Sequence, residues 1–485
     1  MHVSQERFYV AVFWILQICV AISGTVRIAL RSTLAPTIPS LKVGICIAKT
    51  GAALINFNAA LLLLSMTRNL WTRISMLKLF RWLPMRFLAP LHRWAGILFL
   101  LGTIVHCLAH MVNLIIMARH RSINMGHPTL ILGFLLVGIY VSIGLTALSK
   151  PVREKCFEVF IYLHYLAPLS MPILWLHSIF CFLKDSAGVC AGSTTLYWIA
   201  GPTALYLANS VFSSWNARRF AYICKIIKHP SDVLEVHIRK PHFVFLPGQF
   251  VRINLPDVSR FQWHPFTLTS APEEDHISTH IRISGDWTSA VCEYLQNAAL
   301  DRTRIYIDGP LGCACQEHQN YEMIVCIGAG IGQTPFASIL KSLWFRLNKP
   351  LPRGGLCEIH FVGICRSTKS LEWFNDILSA LERSNESGLL KLHLYVTGKV
   401  TEEEQALIAA HHDLGLDDPV TGLKSPTHYG RPEFGSLFNH WAQLGRRTIG
   451  VFYCGPPVLG KKIQMISKST SDGNTLFVYH EETFY

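Results

Sequence analysis

Six apolar stretches within the first 212 residues constrain this chain more than any other feature. They run at 8–30, 43–66, 94–118, 129–148, 157–180 and 195–212. At 1.5 Å rise per residue, a helix of about 20 residues crosses the ~30 Å hydrocarbon layer of a bilayer, so the expectation is six transmembrane helices. The first could be a signal peptide, but its apolar run is long and no small-residue cleavage site clearly follows. Half of the 485 residues are hydrophobic and only 15% are charged. The charged residues concentrate after Arg218, which predicts a membrane half joined to a soluble half. The net charge of +13 is explained by loops rather than by nucleic acid. Arg68, Arg73, Lys78, Arg81, Arg86 and Arg93 lie between spans two and three without an acid. Lys150, Arg153 and Lys155 oppose Glu154 after span four, and Arg218 and Arg219 follow span six. These loops fall on one side, the cytosolic one by the positive-inside rule, so both termini are expected in the cytosol. Arg31, Lys42, Arg119 and Arg121 on the other side weaken the asymmetry.

Ionisable residues inside spans are functional candidates by default. Span three carries His92, His106 and His110; span five carries His164 and His177. His106 lies 14 residues after His92, a rise of roughly 21 Å that returns to within about 40° of the same helix face. His177 lies 13 residues after His164. Histidines at matched depths on two helices can hold two hemes, one above the other, each between two imidazoles. The expected pairs are His92 with His164 on the inner side and His106 with His177 on the outer side. Thirteen residues of ideal helix do not return to one face, and Pro168 and Pro172 should distort the segment. His110 has no partner in this scheme; packing and proton handling stay open. With both axial positions filled, oxygen cannot readily bind the iron, so single electrons would leave by contact.

The soluble half turns on the stretch 261–291. It contains His264-Pro265-Phe266-Thr267, Arg282 and Gly285-Asp286-Trp287-Thr288. An aromatic wall at Phe266, phosphate donors at Thr267 and Arg282, and a helix start after Trp287 suit a flavin dinucleotide. Short alternating strands at 222–226, 233–238, 250–253 and 280–283 predict a small antiparallel barrel. A buried strand at 322–327 then runs into Gly328, Gly330 and Gly332, with Thr334 and Pro335 opening a helix. That order suits a dinucleotide pyrophosphate. Further strands are expected at 359–365, ending at Cys365-Arg366, and at 449–453, followed by Cys454-Gly455-Pro456. Fourteen cysteines without CxxC spacing indicate neither zinc nor a dense disulfide framework. Cys181 and Cys190 in the third outer loop form a disulfide or remain two thiols.

The run HPFTLTSAPEED, followed by HIRI and GDWT, closely resembles the NADPH oxidase family, superoxide-generating flavocytochromes b, with the ferric reductases as more distant relatives. The resemblance extends from about Phe8 to the C-terminus. It implies a six-helix heme bundle followed by a ferredoxin-reductase-like module, with domains at 1–217 (transmembrane), 218–315 (FAD barrel) and 316–485 (NADPH-binding α/β). Implied cofactors are FAD, two b-type hemes and NADPH, with electrons passing from cytosolic NADPH to oxygen on the far side. Ferric or cupric chelate reduction is the alternative. FAD would lie on His264, Pro265, Phe266, Thr267, Arg282, Gly285, Asp286, Trp287 and Thr288, with Phe484 or Tyr485 stacking on the ring. NADPH would take Gly328, Gly330, Gly332, Thr334, Pro335, Cys365, Arg366, Arg431, Cys454, Gly455 and Pro456. Either Arg366 or Arg431 would grip a 2′-phosphate. Lys49 stands where the family usually has an Arg near the outer heme, and Gln333 where it usually has Val. A plasma-membrane location, a small membrane subunit, cytosolic organiser and activator proteins and a Rac-type GTPase are implied as well, and no nucleic acid. No acidic EF-hand loop is present.

Overall fold

The computed structural model describes residues 2–29, 41–77, 85–119, 126–180, 193–300, 303–347, 356–384, 388–399, 402, 406, 417–418 and 421–482. The chain divides into two compact units, Met1–Arg68 with Arg86–Val211, and Asn69–Met85 with Phe212–Tyr485.

The first unit is helical. Helices α1 (His2–Ala29) and α2 (Leu41–Ser65) precede α3 (Arg68–Met76), which belongs almost entirely to the second unit. Then follow α4 (Leu88–Arg119), α5 (Pro128–Leu148), a short α6 (Lys150–Lys155), α7 (Phe157–His164), α8 (Leu166–Ile179) and α9 (Thr195–Ala217). Among the described residues, five segments are long and apolar enough to span a bilayer: Phe8–Arg27, Leu41–Ser65, Leu88–Arg119, Pro128–Leu148 and Phe157–Ile179. The expected sixth span does form a helix, α9, but Thr203, Asn209, Ser210, Ser213 and Ser214 dilute its apolar character. Val43, Leu145, Leu169 and Val211 are each about two-thirds exposed, a pattern that belongs in lipid rather than water. Inside, Ile55, Phe99, Tyr140, Met171 and Leu174 form a core. Helices α2 and α4 approach closely because Gly51 and Gly102 face each other. A Cβ on Gly51 would lie 2.8 Å from the Gly102 carbonyl, the small-residue device of membrane packing.

The fifth span is broken, as its prolines suggest, and the break falls at Tyr165 between α7 and α8. Pro168 has no N–H to give the His164 carbonyl four residues back, and its ring crowds that carbonyl.

In the second unit, β1 (Tyr222–His229), β2 (Val233–Arg239), β3 (Phe250–Asn254), β4 (His264–Thr267), β5 (Ile277–Arg282), α10 (Asp286–Asn297) and β6 (Tyr306–Leu311) build the barrel. Its antiparallel sheets have the orders β1-β2-β5 and β4-β3-β6, and a bridge between Leu268 and Thr279 joins them. Leu234, Val236, Ile238, Val251, Ile253, Ile281 and Ile307 fill the interior. The β5 strand begins three residues before the expected 280, because Ile277 and Ile281 share the buried face. Helix α3 belongs here: Asn69 Nδ2 donates to Asp308 at 3.1 Å and the Gly312 amide to Thr72 Oγ1 at 2.9 Å.

The remainder alternates strand and helix: β7 (Met323–Ala329), α11 (Thr334–Leu347), β8 (Glu358–Cys365), α12 (Glu372–Ser384), β9 (Leu390–Val396), β10 (Thr427–Tyr429), α13 (Phe434–Gln443), β11 (Thr448–Cys454), α14 (Pro457–Thr470) and β12 (Leu476–Glu482). All six strands are parallel in the order β10-β9-β8-β7-β11-β12. Such a sheet is covered on both faces. Phe336, Leu340, Phe361 and Phe374 pack in one core, and Phe438, Trp441, Ile463 and Phe477 in the other.

Candidate functional site

In the helical unit, the four expected histidines meet as two pairs. The rings of His92 and His164 lie 6.1 Å apart between centroids, and those of His106 and His177 lie 6.3 Å apart. An imidazole–metal–imidazole sandwich with bonds of about 2 Å on each side separates ring centres by roughly 6 Å, so both pairs fit an iron between them. Three of the rings are oriented through Nδ1: His92 to Ser65 Oγ at 2.9 Å, His106 to the Ala48 carbonyl at 2.8 Å and His177 to the Thr129 carbonyl at 2.9 Å. A Nδ1–H donated to oxygen leaves the Nε2 lone pair for a metal. His164 Nδ1 is buried without a partner. His110 stacks edge-on against His106 at 4.6 Å rather than joining a pair. Lys49 follows the residue whose carbonyl holds His106. Cys181 and Cys190 lie outside the described residues.

In the barrel, β4 carries His264, Pro265, Phe266 and Thr267 beside the start of α10. The His264 and Trp287 rings stack at 3.9 Å and 25°, with Phe266 6.0 Å from the same indole. Buried His264 Nε2 and Trp287 Nε1 both lack a hydrogen-bond partner. Buried polar atoms left in this state call for a partner, which a flavin dinucleotide can supply. Burial holds the His264 imidazole down at about 4, so it is neutral. Helix α10 starts at Asp286, not after Trp287 as expected. Gly285 is its N-cap, and Thr288 Oγ1 accepts from the Ser284 and Gly285 amides, both at 3.0 Å. The exposed Arg282 ends β5 three residues before this cap. Phe484 and Tyr485 lie outside the described residues.

In the parallel sheet, the chain runs outward from β7 through β8 to β10 and then returns to β11 on the other side. The reversal puts a crevice between the C-terminal ends of β7 and β11, where such folds bind ligands. Gly328, Gly330 and Gly332 line one wall, and Cys454, Gly455 and Pro456 the other. Gly330 takes φ +59°. A Cβ on Gly332 would lie 2.3 Å from the Cys454 carbonyl, so only glycine allows this approach. Thr334 and Pro335 open α11, with Thr334 Oγ1 donating to the Ile331 carbonyl at 3.0 Å. Cys365 and Arg366 end β8, and Arg431 follows β10 after Gly430 at φ +109°. Both arginines are exposed and follow the C-terminal ends of their strands. Burial pushes the Cys365 thiol up to about 12. Burial, followed by the Glu482 carboxylate, pushes the Cys454 thiol well up too. Both are therefore neutral thiols that pack rather than attack.

Sequence reasoning missed the groups that hold these residues. Ser65 and the carbonyls of Ala48 and Thr129 come from neighbouring helices and leave no local pattern. Glu482, whose carboxylate accepts the Ala314 amide at 2.9 Å beside buried Cys313 and Cys315, was missed for the same reason.

Comparison with known proteins matches three family descriptions in chain order. These are a ferric reductase like transmembrane component at residues 51–175, an FAD-binding domain at 219–315 and a ferric reductase NAD binding domain at 321–468. Bundle, barrel and parallel sheet thus define a multi-pass membrane flavin reductase. NADPH oxidase 1 of Mus musculus is 30% identical over 92% of this chain and 88% of its own length. A superoxide-generating NADPH oxidase heavy chain of Dictyostelium discoideum is 29% identical over 93% of this chain and 92% of its own. NADPH oxidase 3 of Homo sapiens is 40% identical over 59% of this chain, a match that spans about half (53%) of that relative. The chain belongs to the NADPH oxidase family.

Proposed function

We propose that the chain is an NADPH oxidase that carries electrons from NADPH through FAD and two b-type hemes across a membrane to oxygen, releasing superoxide. The observation that carries this reading is the pair of facing imidazole couples, 6.1 and 6.3 Å apart, in a membrane bundle encoded with a flavin barrel and a nucleotide sheet. His92 and His164 would hold the inner heme iron, and His106 and His177 the outer one. FAD, when bound, would accept one hydride from NADPH and allow its two electrons to leave singly toward the hemes.

The protein's own groups position and exclude. Ser65, Ala48 and Thr129 fix the ring orientation of His92, His106 and His177. With two imidazoles holding each iron, oxygen would take electrons by contact rather than by binding the metal. His264 and Trp287 present a flat neutral wall to the flavin, while Thr267, Arg282 and the first amides of α10 after Gly285 would face its phosphates, with Pro265, Phe266, Asp286 and Thr288 completing that cradle. Gly328, Gly330, Gly332, Thr334 and Pro335 cradle the NADPH pyrophosphate on the pole of α11. Arg366 or Arg431 grips the 2′-phosphate, and Cys365 and Cys454 with Gly455 and Pro456 pack beside the nucleotide. Lys49 would put a positive charge near the outer heme, and by the resemblance Phe484 or Tyr485 would stack on the flavin.

Domain limits of 1–217, 218–315 and 316–485, a plasma-membrane location with both termini cytosolic, and a small membrane subunit with cytosolic organiser, activator and Rac-type partners complete the proposal. They rest on the resemblance and on the loop charges. The test is NADPH-driven cytochrome c reduction by the purified chain, with and without superoxide dismutase, beside a ferric chelate. Dismutase-sensitive reduction supports the oxidase. Dismutase-insensitive reduction with fast ferric turnover moves the chain to the metalloreductases, a reading that the two ferric-reductase family matches favour.

A further inference from the structure

The barrel has a second face. Leu234, Val236 and Ile238 of β2 point into the core, so the intervening Glu235 and His237 point the other way. Register puts Glu235 directly opposite His280 on β5 and opposite Ile227 on β1, two residues from His229. Three strands thus bring His229, Glu235, His237 and His280 to one side of one sheet.

Glu235 is the centre of this group. Its Oε2 lies 3.0 Å from His229 Nε2 and 3.6 Å from His280 Nε2. The three ligand atoms all fall within 4.8 Å of one another. His280 is 7% exposed, and its Nε2 has no hydrogen-bond partner. Its other nitrogen, Nδ1, is bonded to Thr269 Oγ1 at 2.8 Å, and Trp373 covers its ring at 4.4 Å. A buried imidazole is thereby fixed through one nitrogen and aimed at a carboxylate and a second imidazole with the other.

We propose that His229, Glu235 and His280 form a transition-metal site, with zinc the ion that suits the donors. Two imidazoles and one carboxylate are borderline ligands that suit zinc. Bonds of about 2.0–2.1 Å in a tetrahedron set ligand atoms roughly 3.3 Å apart, and the observed 3.0 and 3.6 Å bracket that spacing. Outer partners are already in place. His237 Nε2 holds the remaining oxygen, Oε1 of Glu235, at 2.7 Å, and stacks on His276 at 4.5 Å. Such contacts orient metal ligands and tune their affinity. Metal binding requires a carboxylate and a free imidazole lone pair, and the buried Nε2 of His280, which has no hydrogen-bond partner, is placed to offer that lone pair. The ion would pin β1, β2 and β5 together on the side away from the barrel core. Cysteine spacing gave no sign of zinc because no cysteine is involved.

The test uses the full-length chain with heme and FAD in detergent, treated with chelator and dialysed against buffered micromolar Zn2+. Zinc is counted by atomic emission against heme iron and flavin. The expected result is one zinc per chain, with an X-ray absorption spectrum showing two imidazoles and oxygen at about 2.0–2.1 Å. His229→Gln and Glu235→Gln, with FAD retained, should each weaken binding at least tenfold, and His237→Gln by about 10–100-fold. The proposal is overturned if the wild-type chain takes up no zinc, or if both ligand variants bind it as the wild type does, which means adventitious binding elsewhere. If the variants lose FAD, the wild-type spectrum decides: a bound zinc without two imidazoles overturns the site.

Discussion

His106 and His177 face each other with ring centroids 6.3 Å apart, and each is tied through Nδ1 to a backbone carbonyl of a different helix. Neither ring can swing away without breaking that bond. If this pair holds one iron and His92 with His164 the other, His177→Leu should leave about one heme per chain, because the second couple is untouched. A pyridine hemochrome assay against protein concentration checks the count. Two hemes retained would reject the pairing.

The break at Tyr165 makes a separate prediction. In an unbroken helix, 13 residues leave two side chains about 140° out of phase. A Pro168→Ala/Pro172→Ala double variant restores the missing N–H groups and favours a continuous helix through His164. It should therefore lower heme loading although no ligand changes. Heme stoichiometry at equal expression is the readout, and full loading would show that the prolines do not set the alignment.

Gly332 offers a third. A Cβ there meets the Cys454 carbonyl at 2.3 Å, so Gly332→Ala must push the two walls of the crevice apart. NADPH-driven turnover should fall by at least tenfold, at about 1.4 kcal/mol per factor of ten, while FAD and heme absorbance and reduction by dithionite stay unchanged. Unaltered steady-state kinetics would remove the crevice from the nucleotide site.

Gln333 is fully buried, and both its side-chain Oε1 and Nε2 lack partners. Unsatisfied buried polar groups cost about 1–3 kcal/mol each. Gln333→Val should therefore raise the melting temperature of the nucleotide-free protein. If NADPH supplies the missing partner, the same variant should also raise KM for NADPH. A melt with and without NADPH separates the two effects.

The pH prediction concerns His264. Its folded value, about 4, is below the ordinary 6.5 because burial disfavours the cation. The unfolded chain therefore binds this proton first as pH falls. Its contribution to stability is complete above 6.5 and is lost progressively as pH falls from 6.5 toward 4. Flavin release followed by fluorescence should rise through that window, and His264→Gln should flatten the dependence. An unchanged profile would assign the acid sensitivity to other groups.

Much of the site was readable from sequence because it rests on local patterns. The glycines of the β7 turn and the HPFT strand carry their chemistry in a few consecutive residues. That His92 and His106 share nearly one face of α4, roughly 21 Å apart in depth, follows from helix geometry alone. What could not be read needed neighbours. The 13-residue gap between His164 and His177 looked like a defect until the break at Tyr165 separated their helices. The α10 start was placed too late because Thr288 closes onto Gly285 from inside the first turn. Glu235 carries no signal in the sequence, since its significance depends on β1 and β5 lying beside it. The sixth span formed as a helix, α9, yet its serines and asparagines leave it outside the strongly apolar set.

The bonds from Asn69 to Asp308 and from Gly312 to Thr72 have a consequence for biosynthesis. The unit that contains the barrel is discontinuous along the chain. Asn69 and Thr72 leave the ribosome 239 and 240 positions before the residues they bond. Long-range closure of this kind is slow relative to local structure, so the early segment must wait, unpaired, while the intervening helices are inserted. A fragment beginning at residue 218 would lack that segment altogether, and its Asp308 and Gly312 would lose their Asn69 and Thr72 partners. Excising the soluble part at the last helix therefore does not yield a native module, and co-expression of the 69–85 peptide would be needed to complete it.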